Sequence, residues 1–215
     1  MSQIAEYARE AVIGKGRTGE VHLVSRSKVP IPTTTDAAND AVALASSYFA
    51  MKVMPKKVAQ GEKWHFQLER ELLTVMSGKP GFPLFHASLQ DKEHLYLLTN
   101  FFQGGDLLTL LEADNGVRLN SPAEDGVLSE HAAKFYLAEA AAALAVLHDA
   151  GFAHGDVKPD NIVLDATGHV SFVDFGSCVA LASEVPHTAE LTADYAAPEL
   201  LTAKGVDSHS QSRKD

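Results

Sequence analysis

The sequence predicts an α+β fold of two lobes, in which a small antiparallel-sheet lobe with one helix precedes an incomplete, mainly helical lobe. Strand patterns come first, since residues 11–24 predict two strands joined by a Gly-rich turn and residues 48–54 predict a third. Helical patterns follow Gly104-Gly105, which interrupts the periodicity. This order of elements predicts that the two lobes meet at a hinge.

The remaining elements follow from apolar periodicity and turn residues. The predicted helices cover residues 62–77, 106–113, 130–148 (with Ser129 as N-cap) and 198–203, a hairpin covers 84–100, and a loop covers 115–126. The predicted domain organisation is an N-terminal extension at 1–10, the small lobe at 11–100 with an insertion at 25–47, a hinge at 101–103, a partial helical lobe at 104–206 and a disordered tail at 207–215.

Composition excludes several classes of protein. The chain has 215 residues, with 28 acidic and 18 basic side chains, so its net charge of -10 makes nucleic acid an unsuitable partner. The single cysteine, Cys178, excludes an intrachain disulfide and fits a reducing compartment, where we interpret it as a small buried residue. No signal peptide, myristoylation site or membrane-spanning run is present, which predicts an intracellular protein, cytoplasmic or nuclear. The oligomeric state stays open.

The strongest functional signal lies in the second half of the chain. The loop at 154–161 contains Asp156, Lys158 and Asn161, and Asp174 follows just before Phe175-Gly176. Transfer of a phosphoryl group from a magnesium-bound nucleotide needs a carboxylate beside the attacking hydroxyl, a lysine at the phosphate and oxygen ligands for the metal. A predicted hairpin between the two motifs brings the metal-binding candidates, Asn161 and Asp174, close together.

A glycine-rich segment marks a candidate phosphate-binding turn near the start of the chain. Its residues are Gly14, Lys15, Gly16, Arg17, Thr18, Gly19 and, two positions later, Val21. By itself the pattern is explained equally well by a ligand-free hairpin turn. Strands on both sides exclude a dinucleotide-binding fingerprint, which requires a following helix, and favour a flap over a nucleotide, with Val21 against the base.

A lysine inside an apolar strand provides a further candidate. Lys52 follows Ala50-Met51, and it could be an edge lysine whose charge reaches solvent or a ligand of nucleotide phosphates. The second interpretation requires a glutamate from the helix downstream. We choose Glu69, because leucines lie around it on the inner face, over Glu71, which is expected to face solvent.

Taken together, these motifs resemble those of eukaryotic-type protein kinase domains, over residues 11 to about 201. The matching segments are Gly14-x-Gly16-x-x-Gly19-x-Val21, Ala50-Met51-Lys52, Glu69, His154-Gly155-Asp156-x-Lys158-x-x-Asn161, Asp174-Phe175-Gly176 and Ala197-Pro198-Glu199. Lys158-Pro159 resembles the serine/threonine class, and the segments at 95–106 and 192–199 resemble AGC-like kinases. The resemblance implies a two-lobed kinase-like fold and a protein serine/threonine kinase with ATP and Mg²⁺ as cofactors and a protein substrate.

The resemblance also implies roles for individual residues. Lys52 would bind nucleotide phosphates, Asp156 would orient the substrate hydroxyl, and Asn161 and Asp174 would hold Mg²⁺. Thr99 would be the gatekeeper, and the backbone of Asn100 to Phe102 would contact adenine. His154 would be structural, and Asp106 would contact substrate or ribose, or act as an acid at a helix N-terminus.

The sequence departs from the family at two places. Gly155 replaces the usual arginine, which pairs with a phosphate on the activation segment, so we expect activity without phosphorylation there. His-Gly-Asp also resembles enzymes similar to aminoglycoside phosphotransferases, which lack the Ala-Pro-Glu element. Only residues 200–215 follow Glu199, where the family has several further helices, so two hypotheses remain open: an active kinase, or a truncated, catalytically impaired protein that binds ATP or a partner.

Overall fold

The small lobe is built on a five-stranded antiparallel sheet with the strand order β1-β2-β3-β5-β4. The computed structural model describes residues 3–16, 18–26, 47–61, 63–112, 123–124, 127–182, 192–198 and 201. The strands of this sheet are β1 (Tyr7–Gly16), β2 (Gly19–Arg26), β3 (Tyr48–Pro55), β4 (Phe85–Gln90) and β5 (His94–Asn100).

The register of the three central strands separates the sheet into two faces. Val21 lies opposite Lys52, which lies opposite Leu97, and Ala50 lies opposite Thr99. Because side chains alternate along a strand, these five residues share one face. The other face carries its own apolar cluster, whose buried members are Val24, Met51, Val53, Tyr96 and Leu98. Lys52 and Val21, which follows the glycine-rich turn, thereby lie on the face opposite this cluster.

Two helices, α1 (Lys56–Gly61) and α2 (Lys63–Met76), follow β3. The α2 helix buries one apolar side, consisting of Phe66, Leu68, Leu72, Leu73 and Met76. These residues join a core that also includes Leu97 from the sheet and Phe172 and Phe175 from the second lobe. The α2 helix confirms the helix predicted over 62–77, whereas α1 was not predicted.

The second lobe begins with β6 (Gly105–Asp106) and α3 (Leu107–Glu112), followed by the short strands β7 (Ala123–Glu124) and β8 (Val127–Leu128). Its longest helix is α4 (Glu130–Asp149), which begins where the Ser129 hydroxyl accepts a hydrogen bond from the Ala132 N–H at 3.2 Å. This capping confirms the predicted start of the helix. Leu137 on α4 is 69% exposed, and Phe135 is 41% exposed.

Short strands surround the loop at 154–161. They are β9 (Phe152–Ala153), β10 (Ile162–Leu164), β11 (Val170–Phe172) and β12 (Val179–Ala180). The hairpin of β10 and β11 was predicted, and β10 also pairs with β6 at the end of the hinge. The pairing of β12 with β9 brackets the loop from the other side.

Some boundaries differ from the predicted ones. β1 begins at Tyr7 rather than at residue 11. Polar contacts hold the start of this edge strand, and such contacts leave no apolar alternation in the sequence from which a strand could be predicted. Arg26 pairs with Glu6 at 3.2 Å, and the Ser25 hydroxyl donates to Glu10 at 2.5 Å. β2 therefore runs into the predicted insertion, of which residues 27–46 lie outside the described part. The predicted loop at 115–126 contains β7, and the predicted tail and most of the helix at 198–203 lie outside the described residues.

A hydrogen-bonded acid stabilises the turn between β4 and β5. The carboxylate of Asp91 accepts the Tyr96 hydroxyl at 2.6 Å and the N–H groups of Glu93 and His94 at 2.8 and 2.7 Å. These bonds, the one from Tyr96 foremost, lower the pKa of Asp91 to about 2. Burial and then the bond to Asp91 raise the pKa of Tyr96 to about 12.

Both shifts predict a pH dependence of stability. The Asp91 contribution should be complete above the ordinary pKa of 3.8 and lost as pH falls towards 2, because the unfolded chain takes up the proton first. The Tyr96 contribution should be complete below pH 10 and lost as pH rises towards 12. Urea unfolding at a series of pH values should therefore show the acid-side loss reduced in Asp91→Asn and the alkaline loss reduced in Tyr96→Phe. The matched control is Glu93→Gln in the same turn, and an Asp91→Asn curve parallel to that of the wild type would contradict the assignment.

Candidate active site

The loop at 154–161 holds its acid, its lysine and its carboxamide in direct contact. The Asp156 carboxylate lies 2.7 Å from the Lys158 ammonium. The Asn161 side-chain nitrogen donates to the carbonyl of Asp156 at 2.8 Å and to its carboxylate at 3.1 Å. The three catalytic candidates predicted from this loop are thus brought together by their own hydrogen bonds.

A fourth residue completes this arrangement from a distant part of the chain. The Thr192 hydroxyl accepts a hydrogen bond from Lys158 at 2.8 Å and donates one to Asp156 at 2.9 Å. The three side chains therefore form a closed triangle, in which each member contacts the other two. These contacts reach both carboxylate oxygens of Asp156 and so fix its orientation.

Gly155 gives the loop its sharp bend. Its φ of 81° lies in the left-handed region, where a side chain is strained. Just before it, His154 is buried, with its ring 5.1 Å from that of Phe172 and 5.5 Å from that of Phe175. Burial lowers the pKa of His154, so it is neutral at pH 7 and serves as a packed support for the loop, as predicted.

The second cluster of the site joins the small lobe to the second lobe. The Lys52 ammonium lies 2.7 and 2.8 Å from the two carboxylate oxygens of Glu69, and 2.8 Å from one oxygen of Asp174. Glu69, which pairs with Lys52, is 3% exposed, whereas Glu71 is exposed. Lys52 is therefore not an edge lysine directed to solvent.

The charges of this cluster shift the pKa values of its members. Burial acts to lower the pKa of Lys52, but the carboxylates of Asp174 and Glu69 outweigh it and raise that pKa above its usual range. The ammonium of Lys52 in turn lowers the pKa of Asp174 to about 2. The side chains of Lys52 and Asp174 are therefore both charged at neutral pH.

The backbone of Asp174 adopts an uncommon conformation. Its φ of 59° and ψ of 76° lie in the left-handed region, and it has the only positive φ of a non-glycine residue in the described part of the chain. A short 3₁₀ turn at Phe175–Ser177 follows, in which the Gly176 carbonyl lies 2.9 Å from Nδ1 of His65 on α2. Phe175 is buried against Phe82, with ring centroids 5.9 Å apart. The ion pair and these contacts fix a strained aspartate at the cleft.

The glycine-rich turn lies beside this cluster. Gly16 lies opposite Gly19 where β1 and β2 meet, and a side chain at Gly19 would place its first carbon 2.0 Å from the Val53 carbonyl oxygen. Only glycine therefore allows the turn to pack so closely on β3. The remaining predicted members, Lys15 and Thr18, lie on the same hairpin, and Lys15 pairs with Glu20 at 3.2 Å, whereas Arg17 lies outside the described residues.

The candidate base-binding surface follows from the sheet register. Val21, Ala50 and Thr99 are partly exposed on the face that carries Lys52. Leu23, two residues after Val21 and opposite Ala50, shares this face and was not predicted, although the alternation along β2 would have revealed it. These side chains form an apolar surface between the glycine-rich turn and the gatekeeper position.

Hydrogen bonds already made by Asn100 and Asp106 restrict which contacts these two residues can make with a nucleotide. Asn100 donates its backbone N–H to the Leu84 carbonyl at 3.1 Å and accepts the Leu84 N–H on its side chain at 2.8 Å. A contact from Asn100 to adenine would therefore have to come from its carbonyl, and the backbone of Phe102 is the next candidate. Asp106 binds the N–H and the hydroxyl of Thr109 at 2.6 and 3.0 Å, so it caps α3.

The donor set fits a magnesium nucleotide. Asn161 uses its side-chain nitrogen on Asp156, which leaves its oxygen for a cation, and Asp174 offers a carboxylate that is 54% exposed. Mg²⁺ is commonly held by one or two protein oxygens together with phosphate oxygens. The described residues contain no cluster of three or more His, Cys, Asp or Glu side chains that could hold a metal by themselves.

Comparison with known proteins identifies the family. The family model described as "Protein kinase domain" matches residues 37–212. The chain belongs to the protein kinase family. The Ala197-Pro198-Glu199 segment falls within the matched range, although Glu199 lies outside the described residues.

Individual kinases align with most of the chain. Human Citron Rho-interacting kinase is 41% identical over 74% of this chain, and human serine/threonine-protein kinase MRCK gamma is 36% identical over 89%. Human myotonin-protein kinase is 36% identical over 90% of this chain. The chain spans 8%, 11% and 27% of the lengths of these three relatives, respectively.

In the described part of this kinase-family chain, no helix combines the length and apolarity needed to cross a membrane.

Substituting Glu69 tests the ion-pair cluster. In Glu69→Gln, Lys52 loses a charged partner and keeps at most one hydrogen bond to the amide oxygen, so kcat/KM for ATP should fall by about 10- to 100-fold, as is usual when an orienting partner is weakened. Glu71→Gln, two positions away on the exposed side of α2, is the matched control and should retain the wild-type value. Initial-rate kinetics with varied ATP measure both, and equal effects of the two substitutions would contradict the assigned role of Glu69.

Proposed function

We propose that this chain transfers the γ-phosphoryl group of MgATP to a serine or threonine hydroxyl of a protein substrate. The observation that carries the proposal is the contact of one ammonium, that of Lys52, with both Glu69 and Asp174 at 2.7–2.8 Å. This contact joins the phosphate-binding face of the sheet to the metal-binding candidate of the second lobe. The meeting of Lys52, Glu69 and Asp174 supports a shared site for phosphate and metal.

Each side chain has a role that follows from its charge and partners. Lys52, oriented by Glu69, binds the inner phosphates, and the backbone of the turn at 14–19 faces the phosphate chain. Asp156 orients the attacking hydroxyl and accepts its proton, while Lys158 balances the charge of the transferring group. Asn161 and Asp174 would hold Mg²⁺, which when bound neutralises phosphate charge.

Several observations support a protein substrate with an aliphatic hydroxyl. Lys158, which with Pro159 carries the resemblance to the serine/threonine class, contacts Asp156 at 2.7 Å, and Thr192 also contacts Asp156. The aligned proteins include one whose name states that it is a serine/threonine-protein kinase. The apolar surface of Val21, Leu23 and Ala50 provides the binding site for adenine.

Substituting the proposed base tests the reaction. Asp156→Asn removes the proton acceptor while keeping the size of the side chain, so kcat should fall by about 10²- to 10⁴-fold, the contribution usual for a general base. Asp149→Asn at the exposed end of α4 is the matched control. Transfer of radiolabelled phosphate to a generic basic protein gives the rate, and a thermal-shift titration with MgATP shows whether the nucleotide still binds.

The outcome also separates the two hypotheses left open by the sequence. Transfer that Asp156→Asn abolishes, with the MgATP-induced thermal shift retained, supports the kinase. Stabilisation by MgATP without transfer in the wild type would instead indicate a protein that binds nucleotide without catalysis. Transfer unaffected by Asp156→Asn would contradict the assigned base.

Gly155 predicts that activity does not depend on a phosphate at Thr188. Because Gly155 stands where the family has an arginine, a phosphate on Thr188 lacks that counter-charge from the catalytic loop. Thr188→Ala should therefore keep the transfer rate within about twofold of the wild type, a free-energy change of roughly 0.4 kcal/mol. Initial rates of phosphatase-treated protein measure this, and loss of activity in Thr188→Ala with recovery in Thr188→Glu would contradict the prediction.

A further inference from the structure

Thr192 occupies an unusual electrostatic position in the second lobe. Its hydroxyl lies between an anion and a cation, donating to Asp156 at 2.9 Å and accepting from Lys158 at 2.8 Å. The Asp156 and Lys158 side chains also contact each other at 2.7 Å. The hydroxyl is the only uncharged member of this triangle. Converting it into a charged group would therefore change the net charge around Asp156.

Basic side chains are scarce in the sequence around this triangle. No arginine lies between Arg118 and Arg213, and the lysines in that interval are Lys134, Lys158 and Lys204. Lys134 is paired with Glu130 at 2.6 Å on the exposed side of α4. Lys158 is already bound to Asp156 and Thr192. A new negative charge at Thr192 would therefore find its nearest cation in the catalytic lysine itself.

We propose that Thr192 is an inhibitory phosphorylation site, at which one phosphate switches off the kinase activity proposed above, on which the inference rests. A second protein kinase molecule carries out the modification with ATP as the donor. The bond between the γ-phosphorus and the β–γ bridging oxygen breaks, and a bond from that phosphorus to Thr192 Oγ1 forms. ADP leaves, and the hydroxyl proton passes to the general base of the modifying kinase.

Three changes at the site make the modification inhibitory. The esterified oxygen has no hydrogen, so the bond from Thr192 to the Asp156 carboxylate is lost. A phosphate carries about -1.5 to -2 charges at pH 7, and it would lie beside a carboxylate that had been a hydrogen-bond acceptor. The phosphate oxygens also attract the Lys158 ammonium away from the transferring group. Lys52, Glu69 and Asp174 lie in the other cluster, so nucleotide binding is preserved.

The test uses the full chain with phosphothreonine placed at position 192 during synthesis. Phosphorylated protein should show kcat at least about 100-fold lower than the unmodified chain, because the oriented base is lost. The KM for ATP should stay within about threefold, and phosphatase treatment should restore kcat as the phosphate is released, monitored by mass spectrometry. This separation of kcat from KM distinguishes loss of positioning from general disruption of the lobe.

Thr167 provides a matched control. Its hydroxyl also donates to an aspartate, Asp165, at 2.7 Å, but in the exposed turn between β10 and β11. Phosphothreonine at 167 should leave kcat unchanged, with the melting temperature of both phosphorylated proteins recorded. Thr192→Ser, which keeps the hydroxyl, should retain most of the activity, whereas Thr192→Val should lose it without any phosphate.

The possible outcomes separate this inference from the proposed function. An unmodified chain that is active and loses activity only with phosphate at 192 supports both. Activity that is kept or raised by phosphate at 192, or lost equally with phosphate at 167, would overturn the inference and leave the kinase function standing. A chain that transfers no phosphate in either state would overturn both. Incubating inactive Asp156→Asn protein with active chain shows whether another copy can modify Thr192, since label at 192 would then appear on the inactive protein.

Discussion

The ammonium of Lys52 is the point at which the separate parts of this molecule meet. It comes from β3, its partner Glu69 comes from α2, and Asp174 follows β11 at the edge of the second lobe. An ammonium has three N–H donors, and all three are used, two on Glu69 and one on Asp174. The pair with Glu69 fixes the orientation of α2 relative to the sheet. The pair with Asp174 holds a residue whose backbone is left-handed. Beneath it, Phe175 packs against Phe82 and His154, so the apolar core continues under the charged cluster.

The catalytic loop, by contrast, is held mainly by bonds among its own side chains. Asn161 binds the backbone and the carboxylate of Asp156, and Thr192 closes the triangle with Lys158. Gly155 provides the positive φ that turns the chain between the buried histidine and the aspartate. The orientation of the Asp156 carboxylate thus depends on neutral hydrogen-bonding groups and a single lysine.

The features that could be predicted from the sequence were those with a local signal. The alternation in β2, β3 and β5 gave the sheet, and the helical phase of α2 separated buried Glu69 from exposed Glu71. The α1 helix was missed because residues 56–61 lack an apolar period. The two-residue strands β9 and β12 were missed because their pairing is long-range and two residues carry no pattern. The position of Asp106 at a helix N-terminus was one of the two interpretations that the sequence left open, whereas the contact of His65 with Gly176 depends on the packing of α2 against the second lobe.

Because each N–H group of Lys52 is already hydrogen-bonded, a phosphate can bind Lys52 only by replacing one of these bonds. An incoming phosphate oxygen would take a hydrogen bond that Glu69 or Asp174 now holds. If it takes the one from Asp174, that carboxylate becomes an unpaired anion. A divalent cation would compensate that anion, so nucleotide and metal each improve the affinity of the site for the other. By thermodynamic linkage the coupling is reciprocal, with one free energy describing both effects. Under the proposed function, the filled hydrogen bonds of Lys52 would therefore couple the binding of the nucleotide to that of its metal.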